Sequence, residues 1–183
     1  LPVIAAPVGM SIGGGFEVVL HADHVVSHAN SVMGLVESFV GVVPAGGGCK
    51  EMLYRWTEKL NDTEKGAWKS FMNIGLGRKA NSPQEADALS MRRSGDVFQM
   101  NRDRILNIAL SSIDNTKKSG PRSPLALSGS THFQEMLEWL EVNNKKGMLT
   151  PHDVTVGTEI GRIMSGGDCP AGTVFSEQEI LDA

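Results

Sequence analysis

The chain has 183 residues, about one domain's worth, and with 40% hydrophobic and 21% charged residues it can bury a core rather than stay disordered. A net charge of −4 with no basic block argues against nucleic acid or an anionic membrane as the main partner. No apolar run reaches the roughly 18 residues of a membrane helix, and no basic segment leads an apolar one as in a signal peptide. Cys49 and Cys169 lie far apart and outside any CxxC pair. Neither a disulfide framework nor a zinc knuckle is indicated, and a reducing, cytoplasmic setting is expected. The chain opens at Leu1 on a core-strand pattern, Pro2-Val3-Ile4-Ala5-Ala6, from which we expect a fragment of a longer polypeptide.

Residues 1 to about 9 read as a short buried strand. Gly13-Gly14-Gly15 follows, and Phe16 to His21 reads as the opening of a helix. Val25-Val26 and Val32-Met33 read as short strands on either side of Asn30. The Gly/Pro loop from Gly41 to Gly48 feeds a helix from Cys49 to about Trp56. Ser82-Pro83-Gln84-Glu85 has the form of a capping box, with proline at the first helical position. Asn101 to about Ile113 carries Ile105, Ile108, Ala109 and Leu110 at helical spacing. The stretch from Lys117 to Gly129 is rich in Ser, Pro and Gly and reads as a linker. Beyond it, Thr131 can cap a helix running to about Asn144. Thr150-Pro151-His152-Asp153 can cap the next, with Val154, Ile160, Ile163 and Met164 as its stripe. Ser176-Glu177-Gln178-Glu179 can cap a last short one. There is no internal repeat. The division expected is 1–118 as core, 119–130 as linker and 131–183 as a helical appendix.

A strand, three glycines and a helix start suit an anion, because leading helix amides are free and the helix end is partly positive. A dinucleotide turn needs G-x-G-x-x-G; Gly13 and Gly15 fit, but Val18 stands at the third glycine, although Glu37 has the spacing of a ribose-binding acid. An oxyanion hole needs only a backbone N–H aimed at a developing negative oxygen. A plain tight turn needs no ligand. Taken singly, Glu17 is most simply a residue that complements the helix dipole, and Glu37, near Val36 and Phe39, a solvated turn residue.

The stretch from Pro2 to Leu53, PVIAAPVGMSIGGGFEVVLHAD followed by MGLVESFVGVVPAGGGCKEML, closely resembles the crotonase (enoyl-CoA hydratase/isomerase) superfamily. The resemblance implies a fold class of α/β, a partial ββα spiral followed by C-terminal helices. It implies that Gly14 supplies an oxyanion-hole N–H and that Glu17 and Glu37 are the two acid/base glutamates of a single cavity. Family hydratases hold both glutamates at this separation, while many relatives, isomerases among them, keep only the second. Hydration of a trans-2-enoyl-CoA is therefore expected, with water activated mainly by Glu17 and a proton delivered mainly by Glu37.

The family's other oxyanion N–H comes from an earlier part of the fold, near the CoA wall. Pro7-Val8-Gly9 also departs from the asparagine-glycine loop of simple hydratases. That loop, Leu20-His21-Ala22-Asp23 and Cys49-Lys50-Glu51-Met52-Leu53 are similar to a branch in which the module is fused to a 3-hydroxyacyl-CoA dehydrogenase. The tail segments from Gly147 to Asp153, Ile163 to Asp168 and Val174 to Asp182 resemble the end of such proteins. The expected partners are an acyl-CoA thioester, the N-terminal remainder of the parent and, as in other crotonases, further copies of the chain. No cofactor is expected on this chain, NAD belonging to the dehydrogenase domain. The alternatives are a catalytically silent scaffold of that dehydrogenase and an enoyl-CoA isomerase.

Other groups have simpler readings. His21 and His24 could share a helical face for a metal, but a strand at Val25-Val26 breaks it before His28, so surface or helix-end roles are expected. Trp56, Trp68 and Phe71 have the spacing of one helical face, as core or acyl-chain lining. Lys145-Lys146 reads as a solvated helix end rather than a CoA phosphate site, and Cys49 as packing.

Overall fold

The computed structural model describes residues 1–183. In chain order the elements are β1 (Ile4–Ala5), β2 (Met10–Ile12), α1 (Gly14–His21), β3 (His24–His28), β4 (Val32–Gly34), a 3-10 turn at Glu37–Val40, α2 (Gly48–Leu60), α3 (Thr63–Gly75), β5 (Lys79–Ala80), α4 (Pro83–Ala88), β6 (Val97–Gln99), α5 (Ile105–Ser112), β7 (Leu125–Ala126), α6 (Gly129–Lys145), α7 (Pro151–Ser165), β8 (Val174–Phe175) and α8 (Glu177–Asp182). They form two compact units, each made of two separate stretches: Leu1–Leu35 with Lys79–Pro121, and Val36–Arg78 with Arg122–Ala183. These units cut across the sequence division at 119–130, because the helices after the glutamate turn pack with those of the tail. The class is α/β with C-terminal helices, as expected.

In the first unit β3 lies between β1 and β6, parallel to both, with Ile4 opposite His24 and Val26 opposite Val97. A second small sheet pairs β2 with β4 in parallel and β4 with β5 antiparallel. Parallel strands need a crossover, and α1 lies in the connection from β2 to β4. Its apolar residues Phe16, Val19 and Leu20 are buried, as are Val25, Val26 and Met33 on the strands. Each such side chain contributes about 1.5–3 kcal/mol on burial. From α5, Ile105 and Ala109 pack on Val26, with Ile4 and Ile108 against them, while Leu110 points outward.

The expected buried strand over residues 1 to 9 is only Ile4–Ala5, and Leu1 and Val3 are exposed. The reason is that β1 is an edge strand with one neighbour, whereas an unbroken apolar run suggests cover on both faces. Polar groups then fasten this unit. Asp96 accepts from the Val25 and Arg93 amides at 3.0 and 2.7 Å, and the Arg93 guanidinium holds the Ala22 and Leu20 carbonyls at the end of α1. Asp23 accepts from the Val3 and Ser119 amides at 2.7 and 2.6 Å. Those backbone hydrogen bonds hold its carboxyl below the usual range.

The second unit is helical. Buried faces of α2 (Met52, Leu53, Trp56), α3 (Ala67, Phe71, Ile74), α6 (Phe133, Met136, Leu140) and α7 (Val156, Ile160, Met164) form its core. A Cβ on Gly157 would lie 2.5 Å from Leu140 Cδ2, so a larger residue there would push the Leu140 side chain of α6 aside. The capping boxes at Thr150 and Ser176 form as expected. At Ser82, in the first unit, the box is altered: Ser82 Oγ accepts from the Glu85 amide, but Glu85 reaches one residue further back, to the Asn81 amide at 2.7 Å. Thr131 is not a cap. Helix α6 begins earlier, at Gly129, with the Ser130 amide donating to the Cys169 carbonyl at 2.8 Å, so backbone from the tail performs the capping. Part of the expected linker is likewise built in: β7 pairs antiparallel with β8, and the Tyr54 hydroxyl donates to the Ser123 carbonyl.

A buried ion cluster joins α2 to the tail. Glu51 meets Lys50 at 3.0 Å, Arg122 at 2.9 Å and Arg55 at 3.6 Å, while Lys50 also meets Glu177 at 2.7 Å. Burial pushes the Glu51 carboxyl up, but Arg122, Arg55 and Lys50 together outweigh it and hold it below the usual range. Glu177 is lowered as well, chiefly by its hydrogen bond from Lys50. Groups lowered on folding add stability above the unfolded pKa and lose it as pH falls through the folded one. Acid titration below about pH 4 is therefore expected to loosen α8 first. Glu51→Ala is expected to cost about 3–5 kcal/mol, since it leaves buried cations uncompensated. Denaturant unfolding checks the cost; a loss under about 1 kcal/mol, the value of a surface pair, would contradict it.

Candidate active site

Glycine at position 13 permits the turn from β2 into α1. Its φ of 57° with ψ of −136° is backbone that side-chain-bearing residues avoid. The Gly13 amide donates to the Gly34 carbonyl at 2.9 Å, tying the turn to the end of β4, and the Gly13 carbonyl accepts from the Phe16 and Glu17 amides. Gly14 and Gly15 are thus the leading residues of α1, and their N–H groups can have no acceptor inside that helix. The helix dipole adds positive potential at the same point. Glu17 sits one turn in, buried, and a Cβ on Gly14 would lie 3.9 Å from its Oε2. The structure therefore brings the sequence-predicted Gly14 and Glu17 together: backbone amide and carboxylate at one helix end, the parts needed to polarise a carbonyl and handle a proton beside it.

Glu37, the other predicted acid, opens the 3-10 turn in the second unit. Its carboxylate oxygens are shielded from solvent, so it is not the solvated turn residue that its neighbours alone suggest. The turn is held from several sides. The Glu37 carbonyl accepts from the Val42 amide at 3.2 Å, and Gly41 closes the turn at φ 78°. Ser38 Oγ donates to the Ile74 carbonyl at the end of α3 (2.9 Å), and His152 Nε2 of α7 donates to the Gly41 carbonyl (2.8 Å). The Phe39 ring covers Gly77 so closely that a Cβ there would meet it at 2.6 Å. Sequence reasoning missed Ser38 and His152 as supports; only His152's place inside a capping box marked it at all.

The remaining candidates separate. His21 ends α1 with Nδ1 on the Glu17 carbonyl, His24 lies 3.8 Å from Asp96, and His28 bonds the Met100 carbonyl, so each ring has its own protein partner. Trp56 does not share a helical face with Trp68 and Phe71: α2 ends at Leu60, with Asn61 in the left-handed conformation, and the other two lie on α3. There Phe71 meets Trp139 edge-on at 5.8 Å. Cys49 is buried and forms no disulfide, and Lys145 pairs with Glu141 on the surface. No helix is long and apolar enough to cross a membrane.

Residues 1–59 match the family described as enoyl-CoA hydratase/isomerase. Over 185 aligned residues, 99% of the chain, it is 31% identical to a probable 3-hydroxyacyl-CoA dehydrogenase of Bacillus subtilis (strain 168). It is 39% identical over 51 residues, 28% of the chain, to the peroxisomal bifunctional enzyme of Danio rerio. The chain spans only 23% of the first relative and 7% of the second. The fold is similar to that of an enoyl-CoA hydratase from Bacillus anthracis, with a TM-score of 0.50 and 19% identity over 89% of this chain and 53% of that one. The segment carrying Gly14, Glu17 and Glu37 is therefore similar to the enoyl-CoA hydratase/isomerase family. The relative aligned along nearly the whole chain is a dehydrogenase by name.

Gly41→Ala is expected to cost about 1–2 kcal/mol from left-handed strain. It adds a clash besides, since its Cβ would lie 2.7 Å from His152 Nε2. Denaturation of Gly41→Ala, His152→Ala and the double variant checks this: the Gly41→Ala cost should fall when His152 is absent. Strict additivity would show that the ring does not press on the turn.

Proposed function

We propose that the chain carries acid/base machinery for hydrating a trans-2-enoyl-CoA to a 3-hydroxyacyl-CoA. In this scheme the thioester carbonyl accepts a hydrogen bond from the Gly14 amide, which draws electron density from the conjugated double bond. Glu17 takes a proton from water as its oxygen bonds to Cβ. Glu37 delivers a proton to Cα, so water is added with protons and charge balanced. The observation that carries the proposal is that Gly14 opens α1 with Glu17 one turn on, its Oε2 3.9 Å from where a Cβ on Gly14 would stand. The family match of residues 1–59 supports it, since both glutamates lie inside that segment.

The alignment to the Bacillus subtilis protein supports a wider setting, in which this chain is one part of a larger polypeptide that also oxidises the hydroxyacyl product. NAD would then serve that other part, and this chain would need no cofactor. The second oxyanion donor would come from residues outside this chain.

Crotonyl-CoA hydration, followed by loss of the conjugated thioester absorbance, tests the proposal in this chain and in the full-length parent. Glu17→Gln and Glu37→Gln are each expected to lower kcat by about 10²–10⁴-fold with a much smaller change in KM. Folded parent protein without hydratase activity would defeat the proposal. Double-bond migration surviving Glu17→Gln would favour an isomerase instead.

A further inference from the structure

The Gly41–Val42 peptide lies between a side chain of α7 and the backbone of Glu37. Its carbonyl, on Gly41, accepts from His152 Nε2 at 2.8 Å, and its N–H, on Val42, donates to the Glu37 carbonyl at 3.2 Å. A carbonyl only accepts, so the imidazole carries a proton on Nε2. The peptide is planar and trans, so its C=O and N–H point in opposite directions and cannot turn independently. One rigid plane therefore joins His152 to Glu37, and the two hydrogen bonds strengthen each other because they share one amide. The other supports act elsewhere on the turn. Ser38 Oγ donates to the Ile74 carbonyl and the Phe39 ring covers Gly77, which fixes the two residues after Glu37. The Glu37 carbonyl itself is held by the Gly41 and Val42 amides.

We propose that His152 is a positioning residue: through the Gly41–Val42 peptide it fixes the backbone of Glu37 and so the place of that carboxylate. The proposal rests on the hydratase reading, in which Glu37 delivers a proton to Cα. A proton donor acts only within hydrogen-bond reach of its target, and a displacement on the order of 1 Å costs about a hundredfold in rate. A 3-10 turn of four residues has poor hydrogen-bond geometry of its own. Without the imidazole N–H the Gly41–Val42 plane can tilt, the Val42 bond to Glu37 loosens, and the carboxylate loses its fixed distance to the reacting carbon. His152 touches no reacting atom in this scheme. Its own backbone is held in the first turn of α7, where Thr150 and Asp153 close the capping box around it. Since His152 stands 111 residues beyond Gly41, the tail would contribute to the rate although it carries neither glutamate.

The test compares His152→Leu, which keeps bulk but has no donor, with His152→Gln, whose side-chain amide keeps an N–H. Neither alters Thr150 or Asp153, so α7 keeps its cap, and circular dichroism should match the wild type for both. Crotonyl-CoA hydration is measured in the full-length parent, and hydrogen exchange of the Val42 amide in this chain. His152→Leu is expected to lower kcat about 10–100-fold with KM changed by no more than about twofold. It should also speed Val42 exchange about fivefold, the worth of one hydrogen bond. His152→Gln should stay close to wild type in both measurements.

Val42 exchange that His152→Leu leaves unchanged overturns the proposal, as does a kcat that it leaves unchanged in a parent that hydrates crotonyl-CoA; the hydratase reading survives either result. Equal loss of kcat in the two variants also overturns it, because bulk or packing, rather than the donated hydrogen bond, would then be what matters. A folded wild-type parent that hydrates nothing removes the hydratase reading and the catalytic part of this proposal together. Val42 exchange still reports in that case whether His152 holds the turn, so the two failures are told apart.

Discussion

The amides that lead a helix have no partner within it, and the most telling feature of this chain is how that constraint is met at α1. Gly13 takes a backbone conformation closed to other residues, donates to the Gly34 carbonyl and gathers the Phe16 and Glu17 amides on its own carbonyl. The Gly14 and Gly15 amides are left at the head of the helix, where positive potential concentrates. The strand order follows from the same turn, since it closes the β2–α1–β4 connection on which the small parallel sheet depends. A side chain at position 13 would strain the turn and disturb sheet, helix start and carboxylate placement together.

The second unit answers a different difficulty. A 3-10 turn of four residues has little internal hydrogen bonding to hold it. Here the support comes from outside the turn: Ser38 on the end of α3, His152 from α7 on Gly41, and Phe39 lodged over Gly77. Helix α7 is positioned in turn by its close approach to α6 at Gly157, and the tail is joined to α2 by the Lys50, Glu51, Arg122 and Glu177 cluster. Residues more than a hundred positions downstream thus steady the segment that holds Glu37.

Much of this was legible in the sequence, and what was legible is local. Glycines at 13 to 15 predict a turn and a helix start, Thr150 and Ser176 predict caps, and the alternation of short apolar runs with polar turns predicts β3 and β4. Each depends on a few neighbouring residues and on backbone preferences that neighbours alone decide. The motif shared with the crotonase family also lies in one contiguous stretch, so Gly14, Glu17 and Glu37 could be singled out before any coordinates.

What only the tertiary structure decided is everything that needs a partner distant in sequence. Residues 1 to 9 turned out to be mostly exposed because β1 is an edge, a property of strand order rather than of its own residues. Helix α6 starts at Gly129 because the Cys169 carbonyl reaches it, and Trp56 parts from Trp68 because the chain reverses at Asn61. The burial of Glu51 among three cations and the supports of the Glu37 turn belong to this group as well. A sequence records which side chains are available along the chain; desolvation, strand neighbours and close helix contacts arise only once residues far apart are packed against one another.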